Sequence, residues 1–288
     1  MSDIVIVFSL ENVLISWLKE MDLDAVWLKS FAEKGRLLDS EAFGKCIIHP
    51  GTLELIKLLD TMPNITLAFF DDAISEKNAF VVEKLLLLAL GEERYHAIKD
   101  KVKIFSENDL VMADKKFYHQ QAYFFNISPG KRKKNLRLVN DDLSSVVLID
   151  CDITYTHHNQ EKNTLKVESA SSNAFGCLYY EVQDNRAMSN DHVCNHVFYV
   201  AGLLFSAMVK ANKEKSLIDI LFDLQYETKS HDNEIAYKFN SKIREKNDLY
   251  DFGLQTLKAV DSSLTFFRFQ PEPGASPEMQ GESMHLRG

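Results

Sequence analysis

Residues 134–152 read KNLRLVNDDLSSVVLIDCD. The run VVLI at 146–149 is apolar at every position, so it offers no wet face, and it is closed at once by Asp150 and Asp152. A short β-branched run that is apolar on both sides is the pattern of a strand buried within a parallel sheet. The pattern recurs at 4–8 (IVIVF), 65–70 (ITLAFF) and 102–105 (VKIF), and more weakly at 164–167 (TLKV). Between these runs the apolar spacing becomes helical, over 17–32, over 52–59 after the turn-forming His49-Pro50-Gly51, and over 79–90, which Gly91 closes. The alternation predicts an α/β protein with a doubly wound, mainly parallel sheet and helices on both faces.

From about Ser189 the strand signal fades. Helical spacing runs through 197–210, 216–226, 233–246 and 249–260, which predicts an all-α C-terminal region packed on the sheet. No Pro/Gly/Ser-rich linker separates the two parts. Three of the six prolines fall in the last eighteen residues, so a Pro-, Gly- and Glu-rich tail is marked off. The expected organisation is a sheet domain over 1–188, a helical region over 189–269 and a flexible tail over 270–288.

Composition narrows the function classes. The 288 residues are 45% hydrophobic and 26% charged, an ordinary globular balance with material for a core. The net charge of −9 argues against general nucleic-acid binding, because neutralising phosphates takes a surplus of Lys and Arg. The four cysteines have no CxxC spacing and the N-terminus has no signal-peptide pattern, so the expected setting is reducing and cytoplasmic. The longest apolar stretches fall short of the roughly 20 residues that span a bilayer. A Glu-rich tail is also a feature of proteins secreted into host cells, which leaves a secreted bacterial effector as the other expected location.

In doubly wound sheets, ligands sit outside the carboxyl ends of the strands. The residues following the runs are Ser9 and Glu11, Asp71 and Asp72, and Asp150 and Asp152. Carboxylates gathered at one dry edge repel by roughly 1 to 4 kcal/mol per close pair. A divalent cation or a basic side chain relieves that, and Lys134 is the nearest basic candidate in sequence. The neighbouring Lys131, Arg132 and Lys133 read first as a solvated charge run, with an acidic partner as the alternative.

Four segments in this order resemble the haloacid dehalogenase-like superfamily, in its RNA polymerase CTD phosphatase-like (FCP/NIF) branch. IVIVFSLENVL is similar to the branch's first motif, HPGTLELIKLL to its Arg-Pro-Gly helix start, and LAFFDDA lies where the second motif belongs. KNLRLVNDDLSSVVLIDCD is similar to the segment carrying the third-motif lysine and the fourth-motif acid. The resemblance covers roughly residues 1–170. It implies an aspartate nucleophile and an acid/base aspartate in the first motif, a hydroxyl and a lysine holding phosphate oxygens, and a magnesium ion held in part by the fourth-motif acid. Mapped here, those positions are Ser9, Glu11, Asp71 and Lys134 as catalytic candidates, with Asp150 and Asp152 as metal candidates.

Three positions depart from that pattern. Ser9 lacks both the nucleophilic carboxylate and a charged magnesium ligand. Glu11 keeps an acid but displaces it by one methylene. Asp71 puts an anion where a phosphate oxygen would be bound. The expectation is therefore a phosphatase-like protein, impaired or inactive as a phosphatase, that binds a phosphorylated or acidic protein or lipid. The alternatives are an active magnesium-dependent phosphomonoesterase built on Glu11 and the aspartates, and a helical protein-interaction module. Residues 15–45 are expected to form a small helical lid. His157-His158 read as loop, and His192, Cys194 and His196 read as core-helix residues rather than zinc ligands, because Cys194 at i+2 points away from the histidine face.

Overall fold

The run VVLI pairs on both edges, as its apolar faces require. In the computed structural model, residues 3–20, 26–112, 132–152, 156–157, 160–171, 175, 190–211, 215–231, 234–240 and 247–267 are described. In chain order the first elements are β1 (Ile4–Phe8), β2 (Ile15–Trp17), α1 (Val26–Glu33), β3 (Leu37–Ser40), β4 (Gly44–Ile48), α2 (Thr52–Asp60), β5 (Ile65–Phe70), α3 (Ser75–Leu90), α4 (Glu92–Ile98) and β6 (Lys103–Phe105). There follow β7 (Val111–Met112), β8 (Arg132–Lys133), β9 (Val146–Asp150), β10 (Thr164–Lys166), α5 (Asn190–Cys194), α6 (His196–Lys210), α7 (Leu217–Gln225), β11 (Tyr226–His231), β12 (Glu234–Phe239) and α8 (Asn247–Leu257).

The central sheet has five strands in the order β10-β9-β1-β5-β6, all parallel. The chain leaves β1 toward β5 and β6 on one side and fills β9 and β10 on the other. The order therefore reverses beside β1, where open α/β sheets place their ligands. Alternate residues of each strand feed opposite faces: Ile6, Phe8, Leu67, Phe69, Val147 and Ile149 enter one apolar cluster, while Val7, Ala68, Phe70, Val146 and Leu148 enter another. The first cluster also contains α2, α3, α6 and α7 side chains, so one continuous core joins the sheet to the C-terminal helices. Among the described residues the second face is covered by 3-10 turns at Leu136–Leu138 and Leu143–Ser145 rather than by an α-helix.

Two segments differ from their sequence reading. The lid expected to be helical is mostly an antiparallel three-stranded sheet, β2-β4-β3, with α1 as its one described helix. Gly35 and Gly44 adopt left-handed backbone at φ 64° and 84°, which turns the chain before β3 and between β3 and β4. Cys46, Ile47 and Ile48 are fully buried, so β4 faces two cores at once. In the C-terminal region, 233–246 was expected as helix; 234–239 instead pairs with β11 as an antiparallel hairpin, Tyr226 opposite Phe239 and His231 opposite Glu234. Residues 241–246 and the tail at 270–288 lie outside the described residues. No described helix is long and apolar enough to cross a membrane.

α6 and α8 cross with their backbones in contact. A Cβ on Gly202 would lie 1.9 Å from the Leu249 carbonyl oxygen, and one on Gly253 would lie 1.8 Å from that of Phe198. Only hydrogen fits at either position. The N-terminal end of α6 reaches the loop after β1, where His196 Nε2 lies 2.6 Å from the Val13 carbonyl oxygen. His49 Nδ1 meets the same oxygen at 3.0 Å, and its Nε2 meets Ser16 Oγ at 2.7 Å; Ser16 Oγ also donates to the Ala170 carbonyl. His192 is instead bonded to Asn247 Oδ1 at 2.9 Å and Cys194 is buried in a third cluster, so the two histidines do not share a ligand.

Burial holds His49 well below the ordinary histidine pKa of 6.5, with His196 adding to the effect, and burial also lowers His196. Burial thus favours the neutral form of both rings, and at His196 it works against the Val13 and Val193 carbonyls, each of which favours a ring N–H. Stability from such groups is complete above about pH 6.5 and is lost below it, because the unfolded chain takes up protons that the fold excludes. We expect denaturant stability to fall as pH drops from 7 to 5, with His49 contributing a slope of up to about 1.4 kcal/mol per pH unit. His49→Gln should flatten that slope by about one proton; an unchanged slope would show that these rings do not govern it.

Candidate functional site

The carboxyl ends of β1, β5 and β9 bring Ser9, Asp71 and Asp150 to one edge, as their strand registers require. All three are buried, with at most 5% exposure. Ser9 prolongs the ladder, its N–H bonding to the Ile149 carbonyl at 3.0 Å. The chain then doubles back within a turn: Val13, Leu14 and Ile15 N–H groups all point to the Leu10 carbonyl, and Asn12 takes a left-handed φ of 61°. Asparagine tolerates that region better than most residues.

Lys134 arrives from the opposite side. Its backbone bridges Thr156 and accepts the His157 N–H at 2.9 Å. The following segment is fixed by Gln160, whose Oε1 accepts the Leu136 N–H at 2.7 Å while its Nε2 donates to Asn135 Oδ1 at 2.8 Å. Held this way, Lys134 sends Nζ to Asp150 Oδ2 at 2.7 Å and to Ser9 Oγ at 2.5 Å. Burial opposes a charge on Lys134, but the carboxylates of Asp150 and Asp71 outweigh it and raise its pKa above the ordinary value. The balance favours its ammonium form in this buried site. The basic run around it is divided: Lys133 and Lys134 are buried, Arg132 is exposed, and Lys131 lies outside the described residues.

Asp71 turns toward backbone instead. Its Oδ2 accepts the N–H groups of Leu10 at 3.1 Å and Glu11 at 2.8 Å, and its Oδ1 accepts the Asp72 N–H at 3.0 Å. Burial pushes its pKa up to about 6, against the pull of Lys134 and these amides. Glu11 thus enters the cluster through its N–H, and its carboxylate forms no hydrogen bond or ion pair among the described residues. Asp152 also contributes its N–H, to Asp150 Oδ1 at 3.0 Å. Cys151, which the sequence reading did not single out, sits between the two acids; burial, with Asp150 next, pushes its thiol up to about 12, so it is no nucleophile.

As arranged, these residues do not fit a magnesium ion. Mg²⁺ takes near-octahedral oxygen ligands. Here one Asp150 oxygen is committed to an ammonium and the other to an amide, Ser9 is neutral, and Asp71 faces three N–H groups. Among the described residues no group of three or more His, Cys, Asp or Glu is placed to hold a metal ion. What the arrangement supplies is a fixed positive charge, a hydroxyl and a pair of convergent amides.

No family model matches the chain, and no curated protein matches it. Among solved structures, the chain is similar to the fission yeast RNA polymerase II CTD phosphatase Fcp1 bound to beryllium fluoride, at 14% identity and a TM-score of 0.37, over 77% of this chain and 62% of that one. It thus spans less than two thirds of that protein's length. A second structure of Fcp1, described as an essential RNA polymerase II CTD phosphatase, is 11% identical over 91% of this chain and 67% of the other, with a TM-score of 0.38.

Proposed function

We propose that this chain is a phosphatase-like binding protein: its strand-end site receives a phosphorylated segment of a partner protein without turning it over through an enzyme-bound phosphate. The observation that carries this is the contact of Lys134 Nζ with Ser9 Oγ and Asp150 Oδ2. The position that would need a nucleophilic carboxylate holds a hydroxyl whose neighbour is a cation. A hydroxyl becomes nucleophilic next to a base, and an ammonium is not one. Lys134 also takes the place of a divalent cation as the counter-charge to Asp150. The region 189–269 then serves as a buttress, since His196 bonds the Val13 carbonyl beside the site.

The test is turnover of an aryl phosphate and a phosphoserine peptide with added magnesium, on the native sequence, on Asp150→Ala and on Ser9→Asp/Glu11→Asp. The native protein should stay at background and bind the phosphoserine peptide in preference to its unphosphorylated twin by fluorescence anisotropy. Magnesium-dependent turnover abolished by Asp150→Ala would overturn the reading in favour of an active phosphomonoesterase using Glu11. Equal binding of the two peptides would remove the phosphate from the recognition.

A further inference from the structure

Successive backbone N–H groups that converge at a tight turn form a concave anion-binding nest. The turn after β1 is such a place. Leu10 and Glu11 N–H groups point to one spot, and the left-handed Asn12 that follows closes the turn. That spot is filled by a side chain of the protein itself: Asp71 Oδ2, 60 and 61 residues away in the chain, takes both N–H groups. We propose that Asp71 is a built-in anion that occupies the nest at the carboxyl ends of the strands, so that an external phosphate or phosphoryl group binds there only by displacing the Asp71 carboxylate. This rests on the binding-protein reading and adds what sets its selectivity.

Three further observations support a displaceable occupant rather than a fixed structural cap. The carboxylate is held by amides alone among its hydrogen bonds, two at the nest and one from Asp72, so leaving strands no side-chain partner. Lys134 is close enough to act on Asp71 through its charge, while its own hydrogen bonds are to Ser9 and Asp150, so a cation remains beside the nest when Asp71 leaves. Every nearby anion also resists a second one: Asp72, Asp150 and Asp152 lie at the same edge. A monoanionic carboxylate already in place keeps free phosphate out, and a phosphorylated protein segment gains entry through its additional contacts. The apparent affinity falls in proportion to the fraction of molecules with the nest open.

Inorganic phosphate is the probe, titrated calorimetrically and by ³¹P line broadening into the full chain at neutral pH. Asp71→Ala removes both charge and acceptor and should raise phosphate affinity at least tenfold over the native protein. Asp71→Asn keeps an acceptor for the two N–H groups and should gain less. Adding Lys134→Gln to Asp71→Ala should cancel the gain. If Asp71→Ala does not fold, as judged by circular dichroism, Asp71→Ser carries the same expectation, since its hydroxyl is too short to span to both amides. Phosphate affinity unchanged in the folded variants, or native protein binding phosphate as tightly as Asp71→Ala, would overturn the proposal. Neither result touches the binding-protein reading, which fails instead on turnover by the native chain or on equal binding of the phosphorylated and unphosphorylated peptides.

Discussion

Replacing Gly253 by alanine should destabilise the protein by about 3 kcal/mol or more, enough to remove a large share of a typical domain's stability. The new Cβ would stand 1.8 Å from the Phe198 carbonyl oxygen, with the Gly202 nitrogen at 2.7 Å. Both neighbours are backbone, so neither can swing aside as a side chain would. Relief requires α6 and α8 to move apart, and their separation would loosen the apolar cluster that includes Phe198, Val197 and Leu257. α6 also carries His196, so the loop after β1 should lose its anchor as well. Gly202→Ala should behave alike, with its Cβ 1.9 Å from the Leu249 oxygen. Val209→Ala, at a position 82% exposed on the same helix, is the control and should change stability by less than about 0.5 kcal/mol. Denaturant midpoints decide it: a Gly253→Ala midpoint close to that of the control would mean the helices do not approach this closely.

Lys134→Met should cost about 3 to 5 kcal/mol, the range found when one member of a buried ion pair is removed. Both side chains of the Lys134–Asp150 pair are 3% exposed, so the remaining carboxylate would keep its desolvation without its partner. Methionine fills similar volume, which separates the charge effect from a cavity effect. The double change Lys134→Met/Asp150→Leu should recover much of the loss, because replacing both members of a buried pair is often near neutral. A single-variant cost below about 1 kcal/mol, or a double variant no better than the single, would mean that Lys134 is not the counter-charge of this cluster. The outcome also bears on function, since a Lys134 that can be lost without penalty would not be holding Ser9 and Asp150 in one geometry.

Much of the sheet was legible because its signal is local. The runs at 4–8, 65–70 and 146–149 are apolar on both faces, and no amphipathic helix or half-wet strand explains such a pattern. The helices over 52–59, 79–90 and 197–210 were legible for the same reason, with Gly51 and Gly91 marking ends where φ is 88° and 81°. The misreadings were also physical. In 234–239, EIAYKF, the large apolar residues Ile235, Tyr237 and Phe239 alternate with Glu234, Ala236 and Lys238, a period-two signal that gave way to a longer helical spacing drawn across 233–246. In 15–48, short strands are set by turns at Gly35 and Gly44 and by burial of Cys46, Ile47 and Ile48 between two clusters, which a scan for one amphipathic face does not register.

For the site, spacing alone brought Ser9, Glu11, Asp71 and Asp150 to one edge, because a parallel sheet aligns the carboxyl ends of its strands. Which atoms meet there was not in that spacing. Of the basic run 131–134 the resemblance singled out Lys134, and it is the bridge to Thr156 and the Gln160 bonds that fix the segment carrying it. Asp71 reads as one more carboxylate until the turn at Leu10 and Glu11 aims two amides at it. The sequence by itself determined the parallel sheet and the acid-rich edge, since periodicity and strand-end position are properties of neighbouring residues. Only the tertiary structure decided that an ammonium balances Asp150 and that Asp71 fills an amide nest. Those contacts join residues 16 to 125 positions apart, and in a site drained of water each buried charge must take its partner from whatever the fold brings within reach.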